Sequence, residues 1–364
     1  MIMAEDERPV VAYLGPEGSY THQAALSAFP SNTTQISPQT TISDVFSAVQ
    51  SRTAHRGVVP FENSSNGSVV FTLDLFADIQ GKYPDILVCG EAYVEVRHCL
   101  LGHASPSPES PTRPDPTQSN DPSNNQQHNA NDNNPATPAQ PLNNLSKIKT
   151  LYSHPQAWGQ CNVFLTQHLK HAERRDVSST SHAAELVSQD PSGTSAALSS
   201  IIAAELFGLD VLAKSINDRV GNTTRFLVIK RKDAAELREV SLVSQAGARS
   251  IAAGSSKEEE TRTQRQEQFK SLVTFTPDND TNPGALAACL SAFAKYDINL
   301  TSINTRPSGV KNWKYIFFVE FQGRLDEEDG EDGKGVKAAL QGLGRVCRGY
   351  RWLGSWVDRT PMVG

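Results

Sequence analysis

Short apolar runs alternate with amphipathic stretches through the first two thirds of the chain. The run "VVAYLG" is followed by "SYTHQAALSAF", and after it come "RGVVPF", "DILVCGEAYVEV", "IKTLYS", "AALSSIIAAELFGL" and "RFLVIKR". Apolar runs bounded by turn residues suit buried strands, a 3.6-residue spacing suits helices, and their alternation predicts an α/β region. The last third is a smaller cycle. "SLVTFTP" reads as a strand, and Leu286, Leu290, Phe293 and Ala294 then recur at helical spacing. "NLTSINT" and "KYIFFVEF" follow as strands, "GVKAALQGLGRVC" puts Val336, Leu340 and Leu343 on one helix face, and "YRWLGSWV" is a last strand. This βαββαβ order predicts a ferredoxin-like sandwich.

Two breaks interrupt the pattern. Residues 104–144, "ASPSPESPTRPDPTQSNDPSNNQQHNANDNNPATPAQPLNN", hold nine of the 21 prolines and almost no apolar side chains. Such a segment cannot bury enough surface to offset its ordering entropy, which predicts a disordered surface insertion. A polar stretch from about Gln245 to Gln268, containing "SSKEEETRTQRQEQ", reads as a linker. The expected boundaries are therefore 8–240 for the α/β region, 241–270 for the linker and 271–359 for the final module.

Composition narrows the function classes. A formal net charge of −6 and a pI near 5.9 give no basic field for a phosphate backbone, so nucleic acid is not an expected partner. The start, "MIMAEDERPVVAYLG", has no basic, apolar leader, and no segment reaches membrane-spanning length, so neither secretion nor a membrane is expected. Cys89, Cys99, Cys161, Cys289 and Cys347 are scattered without a C-x-x-C pair, which argues against disulfides or a zinc site and for a reducing cytoplasm. No cofactor or metal motif is present, so none is expected.

What remains is a set of polar strand ends. "YLGPEGSYTHQAA" is strand, glycine-rich turn and helix; it is either a well-made connection or a helix N-terminus open to an anion. "VVPFENSSNGSV" ends a strand with Glu62, Asn63 and Ser64, either an Asx or Ser turn or a ligand site of the kind open α/β sheets carry at strand ends. In "YSHPQAWGQCNVFL", Ser153 precedes a helix on which Gln156 and Gln160 share a face, and neutral amides there can grip a carboxylate. His154 is a base or a turn residue. Ser179 and Thr180 in "SSTSHAAELV" offer a helix cap, and "GNTTRFLVI" sets Thr223, Thr224 and Arg225 ahead of Phe226 and a buried run. Hydroxyls, amides and one arginine suit a polar anion.

Taken together, "YLGPEGSYTHQAA", "VVPFENSSNGSV", "RHCLLG", "YSHPQAWGQC", "AALSSIIAAELFGL" and "NTTRFLVI", in this order, resemble the prephenate dehydratase family, which converts prephenate to phenylpyruvate in phenylalanine biosynthesis. The final module resembles the ACT regulatory domain, through "NPGALAACLSAFAKYDINLTSINTRPS". The resemblance implies a type II periplasmic-binding-protein-like catalytic region over 8–240, with two α/β lobes and the active site in the cleft between them, and an ACT domain over 271–359. It implies Thr224 of the T-R-F motif as the main catalytic residue, with Thr223 beside it and Arg225 either neutralising a substrate carboxylate or bracing the site. Glu62, Asn63, Ser153, Gln160 and Thr180 carry over in the same way. Glu62 is either the ultimate proton source or a brace for its turn.

No helical chorismate mutase region precedes Val10, so a chain of one activity is expected. Arogenate stands beside prephenate as a possible substrate. The competing class is a solute-binding or sensor protein without catalysis, which would not need Thr224 in its Arg-Phe setting. For regulation, the resemblance implies L-phenylalanine as effector, framed by Gly284, Ala285 and Leu286 at a helix start and by Asn304, Thr305, Arg306 and Pro307 on the next strand. Asn304 and Thr305 depart from the Glu and Ser of the family's E-S-R-P stretch, and losing a carboxylate there predicts weaker or altered inhibition. A pocket shared by two modules implies a homodimer or homotetramer.

Overall fold

The structure, a computed structural model, describes residues 8–104, 139–234, 268–278, 282–325 and 331–361. The expected insertion and linker lie almost wholly outside these residues. From the amino end come β1 (Val10–Leu14), α1 (Tyr20–Ala28), β2 (Gln35–Gln39), α2 (Ile42–Gln50), β3 (Arg56–Asn63), the two-residue β4 (Gly67–Ser68), α3 (Val70–Ala77) and β5 (Ile86–Glu95). Next are β6 (Cys99–Gly102), β7 (Thr150–Ser153), α4 (Pro155–Gln160), α5 (Asn162–His168), β8 (Glu173–Asp176), α6 (Thr180–Ser188), β9 (Ser195–Ser199), α7 (Ile201–Phe207), β10 (Asp210–Ala213) and β11 (Thr223–Arg231). The final module is β12 (Phe269–Pro277), α8 (Ala285–Ala294), β13 (Leu300–Pro307), β14 (Tyr315–Gln322), α9 (Glu331–Val346) and β15 (Cys347–Val357).

The described residues form two compact units, the first from those within 8–15, 21–94 and 223–360 and the second chiefly from those within 95–222. In the first, a sheet of order β2-β1-β3-β11-β5 is parallel through β2, β1 and β3, and β11 returns antiparallel along β3. Local sequence sets its helices. Thr41 and Asp44 cap α2 reciprocally, each side chain bonding the other's backbone N–H, and Val45, Phe46 and Val49 put one face of that helix into the core.

The same unit contains the final module, whose antiparallel sheet of order β13-β14-β12-β15 is the expected βαββαβ sandwich. Its two faces have different partners. Val273, Phe275, Val319 and Phe321 pack under α8 and α9 with Phe293, Val336, Leu340 and Leu343. Leu272, Phe318, Leu353 and Trp356, on the opposite face, join one continuous core with Phe61, Leu73, Phe76, Val88 and Leu227. The module is therefore built into the first lobe.

The second unit has a mixed sheet of order β10-β6-β9-β7-β8. The run "AALSSIIAAELFGL" divides at Ser200, whose side chain caps α7 by accepting from the Ala203 N–H. The five residues before it form the fully buried strand β9.

Candidate active site

Two antiparallel strands position the first unit's share of the candidates. Thr224 of β11 lies opposite Asn63 of β3 and Arg225 opposite Glu62, but Phe226 pairs with Pro60, so the register slips at Arg225. Slips of this kind re-aim side chains. The turn after β3 fixes Asn63: its Oδ1 accepts from the N–H groups of Ser65 and Asn66, both at 3.0 Å, and Gly67 takes the positive φ the turn requires. With that oxygen committed, Nδ2 must face β11, where it donates to Thr224 Oγ1 at 3.0 Å and more loosely to the Thr223 carbonyl at 3.4 Å. Ser64 Oγ accepts from the Thr223 N–H at 2.9 Å. Thr224 therefore receives a hydrogen bond on its oxygen. Among the described residues, its hydroxyl proton meets no acceptor.

Glu62 and Arg225 point to different surroundings. The Glu62 carboxylate is 38% exposed and lies 3.9 Å from Arg225 Nη1, while the turn beside it is held by Asn63. Arg225 is buried. It donates to Glu91 on β5 through Nε at 2.9 Å, with Nη2 at 2.7 Å from the same oxygen, and to Glu320 on β14 at 2.5 Å. Lys270 of β12 joins the group, 3.7 Å from Glu91, 3.6 Å from Glu320 and 3.1 Å from Asp358. Burial alone would weaken the Arg225 proton, but the Glu320 and Glu91 carboxylates outweigh it and hold the guanidinium charged. Phe226 is buried one position further on. The Arg225 guanidinium is thus paired within the protein with Glu91 and Glu320.

In the second unit the candidates lie at the end of β7, along α4 and at the start of α6. Ser153 is fully buried and gives its hydroxyl proton to the Leu198 carbonyl at 3.0 Å. His154 caps α4, its Nδ1 accepting from the Gln156 N–H, and Gln156 itself is exposed. Gln160 Oε1 is 2.7 Å from Nε2 of buried His98, whose Nδ1 is 3.1 Å from the Tyr20 hydroxyl. An amide oxygen only accepts, so Nε2 carries the proton and Tyr20 donates to bare Nδ1. Burial holds His98 below its usual range, partly offset by Gln160, and burial likewise raises Tyr20, so the relay is neutral. Its effect is to turn the Gln160 amide N–H groups away from His98. Ser179 caps α6 by accepting from the His182 N–H, and Thr180 begins the helix.

The profile described as prephenate dehydratase matches residues 11–113 and 134–234, and that of the ACT domain matches residues 279–332. The chain belongs to the prephenate dehydratase family. A bifunctional chorismate mutase/prephenate dehydratase of Neisseria gonorrhoeae is 32% identical over 96% of this chain and 75% of its own length. A probable prephenate dehydratase of Saccharomyces cerevisiae is 32% identical, covering 85% of this chain and 86% of that one. The solved prephenate dehydratase of Arthrobacter aurescens, in complex with L-Phe, superposes with a TM-score of 0.67 at 26% identity, covering 97% of this chain and 92% of that one.

With the prephenate dehydratase fold established, its ACT domain can be placed residue by residue. Gly284, with a φ of 89°, caps α8; Ala285 is buried and Leu286 packs at the edge of the domain's core. On β13 the side chains alternate. Asn304 Oδ1 accepts from Ser68 of β4 at 2.6 Å, and Arg306 forks onto Asp74 of α3 at 2.5 and 3.0 Å, while Thr305 and Pro307 lie towards the opposite face. The sequence reading missed Glu91, Glu320, Lys270, Tyr20 and His98. Tyr20 and His98 stand inside the motifs "GSYTHQ" and "RHCLLG". The other three stand in apolar strand runs, where a charged residue needs a buried partner. Among the described residues no His, Cys, Asp and Glu group has metal-holding geometry, and no helix is long and apolar enough to cross a membrane.

Proposed function

We propose that this chain is a lyase that converts prephenate to phenylpyruvate, with Thr224 as the donor to the departing hydroxyl. The observation that carries the reading is the Asn63–Thr224 hydrogen bond, which leaves one oriented O–H for the substrate. As the ring carboxylate leaves as CO2, the C–C electrons enter the ring and the ring C–O bond breaks. The hydroxyl leaves as water after taking one proton. Prephenate dianion and a proton thus give phenylpyruvate, CO2 and water. Aromatisation supplies much of the driving force, so positioning and hydrogen bonding suffice. Glu62, exposed and close to the bracing arginine, is the group assigned to resupply the proton.

In the same proposal Asn63, Ser64, Thr223, Arg225 and Phe226 of the first unit are substrate-binding residues, and so are Ser153, Gln156, Gln160, Ser179 and Thr180 of the second. L-Phenylalanine is the effector of the ACT domain. With the Asn304 and Arg306 side chains committed to Ser68 and Asp74, its carboxylate falls to the backbone N–H groups around Gly284–Leu286. A cytoplasmic homodimer or homotetramer completes the reading. Mixing the protein with prephenate, and separately with arogenate, tests it. Phenylpyruvate absorbance should appear from prephenate with one proton consumed per turnover, and its absence would leave a binding protein.

A further inference from the structure

We propose that Glu320 of the ACT domain is a positioning residue for the lyase site: through its ion pair with Arg225 it fixes the strand irregularity that aims Thr224. This rests on Thr224 as the donor. Arg225 occupies the point where β11 slips against β3, so the ladder there does not by itself fix where the preceding residue points. The side-chain anchor does that, and it is shared between Glu91 on the neighbouring strand β5 and Glu320 from the ACT sheet. Glu320 is itself oriented, because Thr301 Oγ1 donates to its Oε1 at 2.9 Å. Phe61 and Tyr93 hold the guanidinium from its faces, with ring centroids 5.5 and 6.0 Å from Cζ. A displacement of Arg225 is passed directly to its neighbour Thr224, and a misplacement on the order of 1 Å can cost about 10²-fold in rate.

Charge counting makes Glu320 replaceable without leaving a buried cation unpaired. Arg225 and Lys270 face four carboxylates, Glu62, Glu91, Glu320 and Asp358, and Glu320→Gln leaves three against two. In the full chain this variant should stay folded, with KM for prephenate within about twofold and kcat reduced by about tenfold or more, the signature of an interaction realised in the transition state. Thr301→Val, which loosens Glu320 without removing its charge, should lower kcat by about two- to threefold. Because the action runs through Thr224, Glu320→Gln should not slow the residual turnover of Thr224→Ala further. Wild-type kcat in Thr301→Val and in a folded Glu320→Gln, or an undiminished effect of Glu320→Gln in the Thr224→Ala background, would overturn the positioning role. Near-normal turnover by Thr224→Ala alone would instead sink the donor assignment on which the inference rests.

Discussion

Asn63 decides which hydrogen Thr224 has to offer. Its carboxamide donates to Thr224 only because its oxygen is spent on two turn N–H groups. Asn63→Asp keeps the shape and the turn but removes the donor. The Thr224 hydroxyl would then donate its hydrogen bond to the new carboxylate and no longer offer it to the substrate. The expected result is a fall in kcat of about 10²-fold or more with little change in thermal midpoint, checked by steady-state assay with prephenate; unchanged kcat would show that the amide is not what orients the hydroxyl. At this scale the sequence was partly legible. The residues of "FEN" and "TTRF" are found paired across two strands, but nothing local says that Arg225 meets Glu91 and Glu320, which are 134 and 95 positions away. Ion pairs across such separations are set by topology. Ser153, a candidate from its motif, spends its proton on a buried carbonyl, a use that no neighbouring residue announces.

Among the elements, β15 meets β5 backbone to backbone at Gly354. Gly354 has a φ of 129°, and a Cβ there would lie 2.0 Å from the Val88 carbonyl oxygen. The two backbones can approach only because that position is glycine. Gly354→Ala should therefore destabilise by on the order of 3 kcal/mol, from overpacking plus an unfavourable backbone angle, measured by chemical denaturation; a loss below about 1 kcal/mol would mean that the strands can part at little cost. Strands and helices with a strong period were readable in advance, including the whole βαββαβ order. The strand-helix break inside "AALSSIIAAELFGL" was not, because small residues buried on all sides give no period and only the Ser200 cap marks the change. β8 was invisible for the opposite reason. Its four residues, Glu173 to Asp176, are all exposed.

The whole molecule joins its regulatory domain to its first lobe through a common core. Leu272, Phe318, Leu353 and Trp356 together contribute roughly 6–12 kcal/mol, at 1.5–3 kcal/mol for each large apolar side chain, which is comparable to the entire stability of an ordinary domain. A chain ending at residue 234 should consequently give little soluble protein and no lyase activity; recovery of a soluble, active fragment would show that the lobe closes its own core. The sequence carried a signal for this in strands apolar on both faces, "SLVTFT" and "YIFFVEF", since a sheet covered on one side only would alternate with polar residues. The bare contact at Gly354 has an evolutionary consequence. An ACT domain exchanged for that of a distant relative would bring a β15 contour and an acid at 320 shaped to another lobe, and one added methyl group would be enough to block the join. Residues 88, 91 and 225 on one side and 320, 353 and 354 on the other are thus bound to be inherited as a set, and lineages of this enzyme should change them together or not at all.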